Sequence, residues 1–376
     1  MIKSYVAKIG NIFDIGVKES GQNINLSRKK CMFGIICGII ESRSVNYEEI
    51  AQQMNETVED ESNLRRIQRF FAEVELDYTQ IAIILMCFIP LRKLTLCIDR
   101  TNWKFGKLDI NILTLTAKYK GVGIPIFFEM LEKRGNSNQQ ERIDLLDKFV
   151  SIFGINRIAC IIGDREFIGE KWYNYLLNNK IDFYIRIHKS HLVEIQGGVI
   201  SAFELLTDCV HRGVSGVKVN NVIANIGATH LLNPDNEDDK YLIIITNRHP
   251  DGACKAYQNR WSIEVFFQSI KGRGLNIENT HLEDVVRIKK LVAMVCLAFV
   301  WCLTIGVWKD QAIKDIRIKN HGYKANSFFR YGLNHLRRIF RNISNRRSQF
   351  LNFIDNLWCI ITKINLCYHL DEKNVM

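Results

Sequence analysis

Residues 92–131, RKLTLCIDRTNWKFGKLDINILTLTAKYKGVGIPIFFEML, decide the fold of this chain. Three runs rich in β-branched and aromatic residues cover 92–101, 108–119 and 123–131, and short polar segments containing glycine separate them. Such runs are typical of strands joined by tight turns. The segment therefore predicts a meander of three strands.

The segments that follow this meander alternate between helical and strand patterns. A helix is predicted to end at Gly154, and apolar runs that read as strands occur at 156–166, 181–188 and 241–247, with a second helix at 169–180. Residues 190–240 are β-rich and end in an acidic loop, which indicates an insertion. This order predicts an α/β fold built on a mixed sheet with flanking helices.

The N-terminal 90 residues have helical spacing and carry a basic segment. Residues 46–55 and 63–74 read as two helices around a short turn, and the second contains Arg65, Arg66 and Arg69. This outline is typical of a helix-turn-helix DNA-binding domain. A small helical bundle with a solvated basic face gives the same pattern.

One apolar run, 291–308, is long enough to span a membrane and is flanked by Lys289, Lys290 and Lys309. A helix buried on several sides in a large protein has the same composition. The remaining region, 311–376, is basic and is expected to be helical.

The bulk composition points to a globular chain with a polyanionic partner. The 376 residues carry a net charge of +11, which favours either nucleic acid or an anionic membrane surface as a partner but also fits an ordinary basic protein. The 11 cysteines form no CxxC pair and mostly lie in apolar runs, so buried free thiols are expected. The N-terminus shows no pattern of a secretory signal.

Two aspartates stand where predicted strands end. Asp99 follows the strand 94–98, and Asp164 follows the strand 157–162 and Gly163. Carboxylates at strand ends are held rigidly, as metal ligands must be. Single aspartates at such positions also cap the next helix or turn.

A predicted helix at about 253–273 carries a third carboxylate. At ~100° per residue, Tyr257, Arg260, Glu264 and Lys271 lie on one stripe about 60° wide. The opposite side is apolar and can pack on the sheet. An Arg260–Glu264 pair at i,i+4 spacing on a solvated face explains two of the four residues, but not the other two.

The stretch YQNRWSIEVFFQSIK at 257–271 fits the pattern Y-(2)-R-(3)-E-(6)-K. It resembles the signature of the insertion-sequence-four family of bacterial DDE transposases, and CIDRTNWKFG and IIGDREFIG resemble the two aspartate motifs of that family. The resemblance implies a ribonuclease-H-like core at 91–189 and 241–310, a β-rich insertion at 190–240, and a buried helix at 291–308.

The resemblance also implies a catalytic and metal-binding triad of Asp99, Asp164 and Glu264. Two Mg²⁺ ions, with Mn²⁺ as a substitute, are expected, since hard divalent ions prefer carboxylate oxygen and a pair of them activates water and neutralises the leaving oxygen. Asp99 is the expected bridging ligand.

The resemblance further implies phosphate contacts from Tyr257, Arg260 and Lys271. Arginine can bind a phosphate through two hydrogen bonds, and lysine acts as a point charge. Trp103 and Trp261 are candidates for stacking on an unpaired base, or are core tryptophans. The N-terminal arginines are expected to read terminal inverted repeats.

The expected activity is cleavage of double-stranded DNA at the ends of an insertion sequence, followed by joining of the 3′ ends to target DNA. A homodimer on paired ends, a cytoplasmic, nucleoid-associated location and no membrane partner are expected by resemblance. The alternative is a catalytically inactive DNA-binding repressor derived from such an element.

Overall fold

The computed structural model describes residues 2–15, 24–54, 58–206, 210–231, 240–320, 322–341 and 345–372. The chain divides into two compact units. We call Leu91–Asn102 with Asn111–Phe266 the sheet unit, and Met1–Pro90 with Trp103–Ile110 and Phe267–Met376 the helical unit. Most of the acidic loop of the expected insertion lies outside the described residues.

Ten strands form one sheet in the order β3-β2-β1-β4-β5-β10-β9-β8-β6-β7. Their bounds are β1 Leu94–Phe105, β2 Leu108–Tyr119, β3 Val122–Met130, β4 Ile158–Gly163, β5 Phe183–Ile187, β6 Leu192–Ile195, β7 Gly198–Ser201, β8 His211–Val219, β9 Val222–His230 and β10 Tyr241–Thr246.

Twelve α-helices are formed by the described residues. Their bounds are α1 Ile2–Ile12, α2 Leu26–Ser42, α3 Tyr47–Ala51, α4 Asp60–Glu73, α5 Tyr78–Met86, α6 Gln139–Phe153, α7 Glu170–Asn178, α8 Ala253–Tyr257, α9 Trp261–Ile270, α10 Val285–Ala312, α11 Phe328–Phe340 and α12 Arg347–Glu372.

The sheet is mixed. Strand β4 runs parallel to β1 and to β5, whereas β3 is antiparallel to β2 and β10 is antiparallel to β5. A meander followed by two parallel strands, each reached through a helix, is the arrangement of a ribonuclease-H-like sheet. The expected α/β fold with flanking helices is thus confirmed.

The local signals in the sequence act as expected around the meander. Helix α6 begins at Asn138, which forms a capping box with Glu141, and ends at Gly154, whose φ of 79° suits a residue without a Cβ. The helix α6 packs against β3 and α7, and α8 packs against β5, β9 and β10. These contacts bury the apolar residues of the central strands.

Strand β1 differs from the expectation that Asp99 closes it. The strand continues through Asp99 to Phe105. What ends there is the pairing with β4, whose last pair is Ile98 with Gly163. The expected strand end was therefore wrong for β1, because β2 continues to pair beside it after β4 has ended.

The β-rich residues after β5 extend the same sheet. Strands β6–β9 follow β5 in the chain, and β9 pairs with β10, which itself pairs with β5. Residues 190–231 thus add strands beyond the central part of the sheet.

The apolar run at 291–308 lies in α10, the longest helix of the helical unit. Helix α10 packs against α2, α4, α5, α11 and α12. It is the one helix in the described part of the chain with the length and composition of a membrane span, and 89% of its most apolar window is buried inside the protein. Burial on all sides is what a core helix requires.

Candidate active site

Asp99 and Asp164 lie side by side at the edge where β1 and β4 separate. Ile98 pairs with Gly163, so the two aspartates are the next residues of two neighbouring parallel strands. Each carboxylate accepts a hydrogen bond from the backbone N–H of the arginine that follows it, at 2.7 Å for Asp99 and 2.8 Å for Asp164. The backbone therefore fixes both side chains in orientation.

Glu264 reaches the same place from a helix that is not continuous. The expected helix at 253–273 is divided into α8, a 3₁₀ turn at Gln258–Arg260, and α9. Such a 3₁₀ segment within a helix tightens the chain locally and is often found at functional sites. Here it lies between Tyr257 and Glu264.

The three carboxylates converge on one atom. Arg260 Nη1 lies 2.9 Å from Asp99 Oδ2, 3.1 Å from Glu264 Oε1 and 3.7 Å from Asp164 Oδ2. The Arg260 side chain is only 14% exposed. One buried guanidinium thus pairs with all three acids and offsets part of their mutual repulsion.

Tyr257 completes this cluster. Its hydroxyl donates a 3.0 Å hydrogen bond to Asp164 Oδ1, and the Arg260 guanidinium lies 5.8 Å from its ring centre. Burial raises the pKa of Tyr257 well above its usual range, so the hydroxyl keeps its proton and remains a donor.

The charge of Asp99 is costly in this setting. Burial raises the pKa of Asp99 from 3.8 to about 7. The charge of Arg260 and the hydrogen bond from the Arg100 N–H oppose this shift, whereas the charges of Glu264 and Asp164 add to it. Burial lowers the pKa of Arg260, but the electrostatic effects of the neighbouring Tyr257 and of the three acids outweigh burial and raise that pKa. The site thus combines an acid that resists ionisation with an arginine that is always charged.

The donor set suits a hard divalent cation, because all three groups supply carboxylate oxygens directed at one point. As the side chains stand, no three His, Cys, Asp or Glu residues among those described have the spacing of a metal cluster. The Arg260 Nη1 nitrogen lies at the point on which the three carboxylates converge. Asp99, Asp164 and Glu264 would hold the metal once Arg260 has moved from that position.

A second polar network, which the sequence analysis missed, joins the two aspartate segments. Arg100 Nε lies 3.0 Å from Glu166 Oε2, and the same guanidinium donates to Asn111 at 2.9 Å and Asn136 at 3.0 Å. Ser137 donates a 3.0 Å hydrogen bond to Glu166. The repeated Asp-Arg pairs at 99–100 and 164–165 were the available signal, but only the structure shows which arginine binds which acid.

The remaining predicted residues lie in different surroundings. Lys271 belongs to the helical unit and forms a 2.9 Å ion pair with Glu278. In α4, Arg65 is exposed and pairs with Glu61 at 2.6 Å, Arg69 is exposed, and Arg66 is half-buried. Of the nine predicted site residues, the structure therefore brings five together, namely Arg260 and the four residues around it, Asp99, Asp164, Tyr257 and Glu264.

The two candidate stacking residues differ in exposure. Trp261 is 61% exposed and follows Arg260 in the chain, whereas Trp103 is 9% exposed. Only Trp261 presents a ring that a base can cover.

We expect Arg260→Gln to destabilise the metal-free protein and to make its stability depend strongly on Mg²⁺. Removing one partner of a buried charge cluster costs about 3–5 kcal/mol. A cation that binds only the folded state restores stability in proportion to its concentration. Thermal unfolding of the variant and the wild type in EDTA and across a Mg²⁺ titration measures both effects.

Arg65→Gln is the matched control, because Arg65 also pairs with a glutamate at i,i+4 spacing but both side chains are mostly exposed. Its loss is expected to change the unfolding free energy by less than about 1 kcal/mol. If Mg²⁺ raises the stability of Arg260→Gln no more than that of the wild type, Arg260 does not stand where the ion binds.

A ribonuclease-H-like sheet that brings two aspartates and a helical glutamate together is the arrangement of the DDE class of nucleic-acid enzymes. Residues 91–301, more than half of the chain, match the family model described as a transposase DDE domain. The protein therefore belongs to this family of DDE transposases, which implies nuclease and strand-transferase activity and the use of divalent metal ions.

A search of curated proteins finds no match. Among solved structures, the cryo-EM structure of a piggyBac transposase synaptic complex with hairpin DNA is similar at a TM-score of 0.44 and 10% sequence identity, covering 95% of this chain and 82% of that chain.

Proposed function

We propose that this protein is an active transposase that cuts DNA at the ends of an insertion sequence and joins the freed 3′ ends to target DNA. The observation that carries the proposal is the convergence of Asp99, Asp164 and Glu264 within 3.7 Å of one nitrogen of Arg260. Within the DDE transposases, the spacing of Tyr257, Arg260, Glu264 and Lys271 favours a bacterial insertion-sequence-four type.

The three carboxylates hold Mg²⁺ in the proposed reaction. When bound, divalent ions activate a water molecule and neutralise charge on the attacking and leaving oxygens of a phosphodiester. Hydrogen bonds from the backbone N–H groups of residues 100 and 165 hold Asp99 and Asp164 in the orientation that would bind the ions.

Arg260 has two positions in this scheme. In this structure it pairs with the three acids, and away from them its planar guanidinium would be available for a phosphate near the cut. Tyr257 is bonded to Asp164 and holds the orientation of that carboxylate. Lys271 is the second proposed phosphate contact, and Arg65, Arg66 and Arg69 of α4 are proposed to read the terminal repeats.

Double-stranded DNA is the proposed partner, and paired element ends are proposed to be bound by a homodimer. The reaction has two chemical parts. Water cleaves the phosphodiester and leaves a 3′-hydroxyl, and that hydroxyl then displaces an oxygen of a target phosphodiester, so that one bond forms as one breaks. The chain is proposed to act in the cytoplasm on the nucleoid.

The test is cleavage of linear duplexes carrying the inverted repeats that flank the gene, with Mg²⁺ or with EDTA. We expect nicking only with Mg²⁺. We expect Glu264→Gln to lower the nicking rate by about 10³-fold, the scale of losing one directly acting group, while DNA affinity is retained. Glu194→Gln removes another glutamate that is paired with a lysine and should leave the rate unchanged.

Nicking that persists in Glu264→Gln would contradict the assignment of the triad. Binding of the repeats by the wild type without cleavage would favour the catalytically inactive repressor.

A further inference from the structure

Four arginines of the helical unit lie together without carboxylate partners. Arg43 follows α2, and Arg330, Arg337 and Arg341 lie on or directly after α11. Within the described residues, none of the four guanidinium groups forms an ion pair with a carboxylate. We call these four residues the arginine stripe.

Hydrogen bonds to the backbone hold three members of the stripe beside one another. Arg43 Nε donates to Gly274 O at 3.2 Å. Arg330 donates to the backbone carbonyl of Arg273, the residue before Gly274. Arg337 Nε donates to Glu41 O at 2.8 Å, two residues before Arg43. These carbonyls orient the guanidinium groups but do not neutralise their charge.

The geometry of α11 aligns its arginines. Residues 330, 337 and 341 are separated by seven and four positions, so at ~100° per residue they fall within a sector of about 40°. Phe329, Leu333, Leu336, Ile339 and Phe340 of the same helix are buried. Arg330 and Arg337 are half-buried and Arg341 is exposed, so the stripe runs along the margin between the buried face of the helix and the solvent.

Burial and the charges of neighbouring arginines both disfavour the charged form of members of the stripe. Burial, and then the charge of Arg43, lowers the pKa of Arg330. Burial lowers the pKa of Arg337, and the charges of Arg341 and Arg43 lower it further. The charge of Glu41 opposes this shift. Cations at the end of a helix favour its dipole, but Arg330 lies in the first turn of α11, where a cation is unfavourable.

We propose that the arginine stripe is a contact surface for the phosphodiester backbone of double-stranded DNA. From Arg330 to Arg341 the helix rises about 16 Å, which matches about five phosphates of one strand at 3.4 Å each. A membrane surface suits the stripe less well, because a helix that lies on lipid needs an exposed apolar face. The choice of DNA as the polyanion rests on the proposed function.

The position of the stripe agrees with a DNA path through the helical unit. Arg273, whose carbonyl accepts the hydrogen bond from Arg330, lies two residues after Lys271 in the chain. Lys271 is the proposed phosphate contact of the signature. Arg273 itself is exposed. A strand held by Lys271 can therefore continue along Arg43, Arg330, Arg337 and Arg341.

The test is binding of the full chain to a fluorescent 40-base-pair duplex of arbitrary sequence, measured by anisotropy between 50 and 300 mM KCl. For the variant Arg330→Gln/Arg337→Gln/Arg341→Gln, we expect affinity to fall roughly ten- to hundredfold. We expect the slope of log affinity against log salt to become shallower by about one per arginine removed.

A second triple variant, Lys120→Gln/Lys180→Gln/Arg212→Gln, removes the same charge from exposed residues of the sheet unit. Equal weakening by both variants would overturn the proposal, because it would show an effect of net charge alone. Loss of binding to anionic vesicles with unchanged binding to DNA would also overturn it.

Arg341 is exposed, so Arg341→Glu tests the stripe without disturbing the hydrogen bonds that Arg43, Arg330 and Arg337 donate to backbone carbonyls. It should weaken DNA binding without changing the melting temperature. The outcomes separate this proposal from the proposed function. If the protein nicks DNA with metal but the triple variant keeps the salt slope of the wild type, only the proposal for the arginine stripe is contradicted. If the triple variant changes the salt slope but the protein does not nick DNA, only the proposed transposase activity is contradicted.

Discussion

Replacing Asp99 with asparagine is expected to abolish DNA cleavage and to make the metal-free protein more stable at pH 8. The expected loss of the cleavage rate is about 10³-fold, because one of the three carboxylates that would hold divalent ions loses its charge. Asparagine keeps the shape and one acceptor oxygen, so it can still bond the Arg100 N–H or the Arg260 guanidinium.

The gain in stability follows from the direction in which the pKa of Asp99 is shifted. Its pKa is raised to about 7 in the folded protein from 3.8, so the folded state binds this proton more tightly than the unfolded state. The stability that the proton provides is complete below about pH 4 and is lost as the pH rises to about 7. The wild type therefore loses stability in that window, on the order of 2–4 kcal/mol, and the asparagine variant does not.

The measurement is urea unfolding in EDTA at pH 5 and pH 8. The advantage of Asp99→Asn over the wild type should be larger at pH 8. Asp144→Asn, at an exposed carboxylate of α6, should change neither cleavage nor stability appreciably. An asparagine variant that is less stable than the wild type at pH 8 would mean that the ion pair with Arg260 outweighs the cost of burial.

The sheet and the acids were largely predictable because they depend on local signals. Strands of the meander and the helix end at Gly154 follow from β-branched runs, turns and a glycine, which act over a few residues. The positions of Asp99 and Asp164 follow from the same pattern, since parallel strands bring their ends to one edge of the sheet.

The partner of the acids was not predictable. On an ideal helix, Arg260 shares a face with Glu264, and the pair was foreseen at i,i+4 spacing. That the same guanidinium also reaches Asp99 depends on how the 3₁₀ turn at 258–260 places it over the sheet. A contact between residues 161 positions apart requires the whole tertiary structure.

The link between Arg100 and Glu166 was missed for a related reason. Both segments contain an Asp-Arg pair, and sequence spacing does not distinguish a structural arginine from one that faces a ligand. Arg100 is bonded to Glu166, Asn111 and Asn136, three groups from separate segments of the sheet unit.

A single methyl group at Gly306 is expected to weaken the packing of two helices in the helical unit. This glycine lies in α10, and Gly332 faces it from α11. A Cβ at Gly306 would stand 1.8 Å from Phe328 O, and one at Gly332 would stand 1.8 Å from Cys302 O. Both obstacles are helix backbone, so neither can move aside as a flexible side chain can.

Gly306→Ala therefore tests whether close backbone contact or helix propensity decides the stability at this crossing. Alanine favours a helix over glycine by up to about 1 kcal/mol, whereas forcing the two helices apart costs at least about 2 kcal/mol. For a unit of this size, a net cost of about 1 kcal/mol or more lowers the melting temperature by at least roughly 2–4 °C. Gly272→Ala, at a glycine with nothing within 4 Å of its Cβ position, should leave it almost unchanged. Stabilisation by Gly306→Ala would show that α10 and α11 are not held by direct backbone contact.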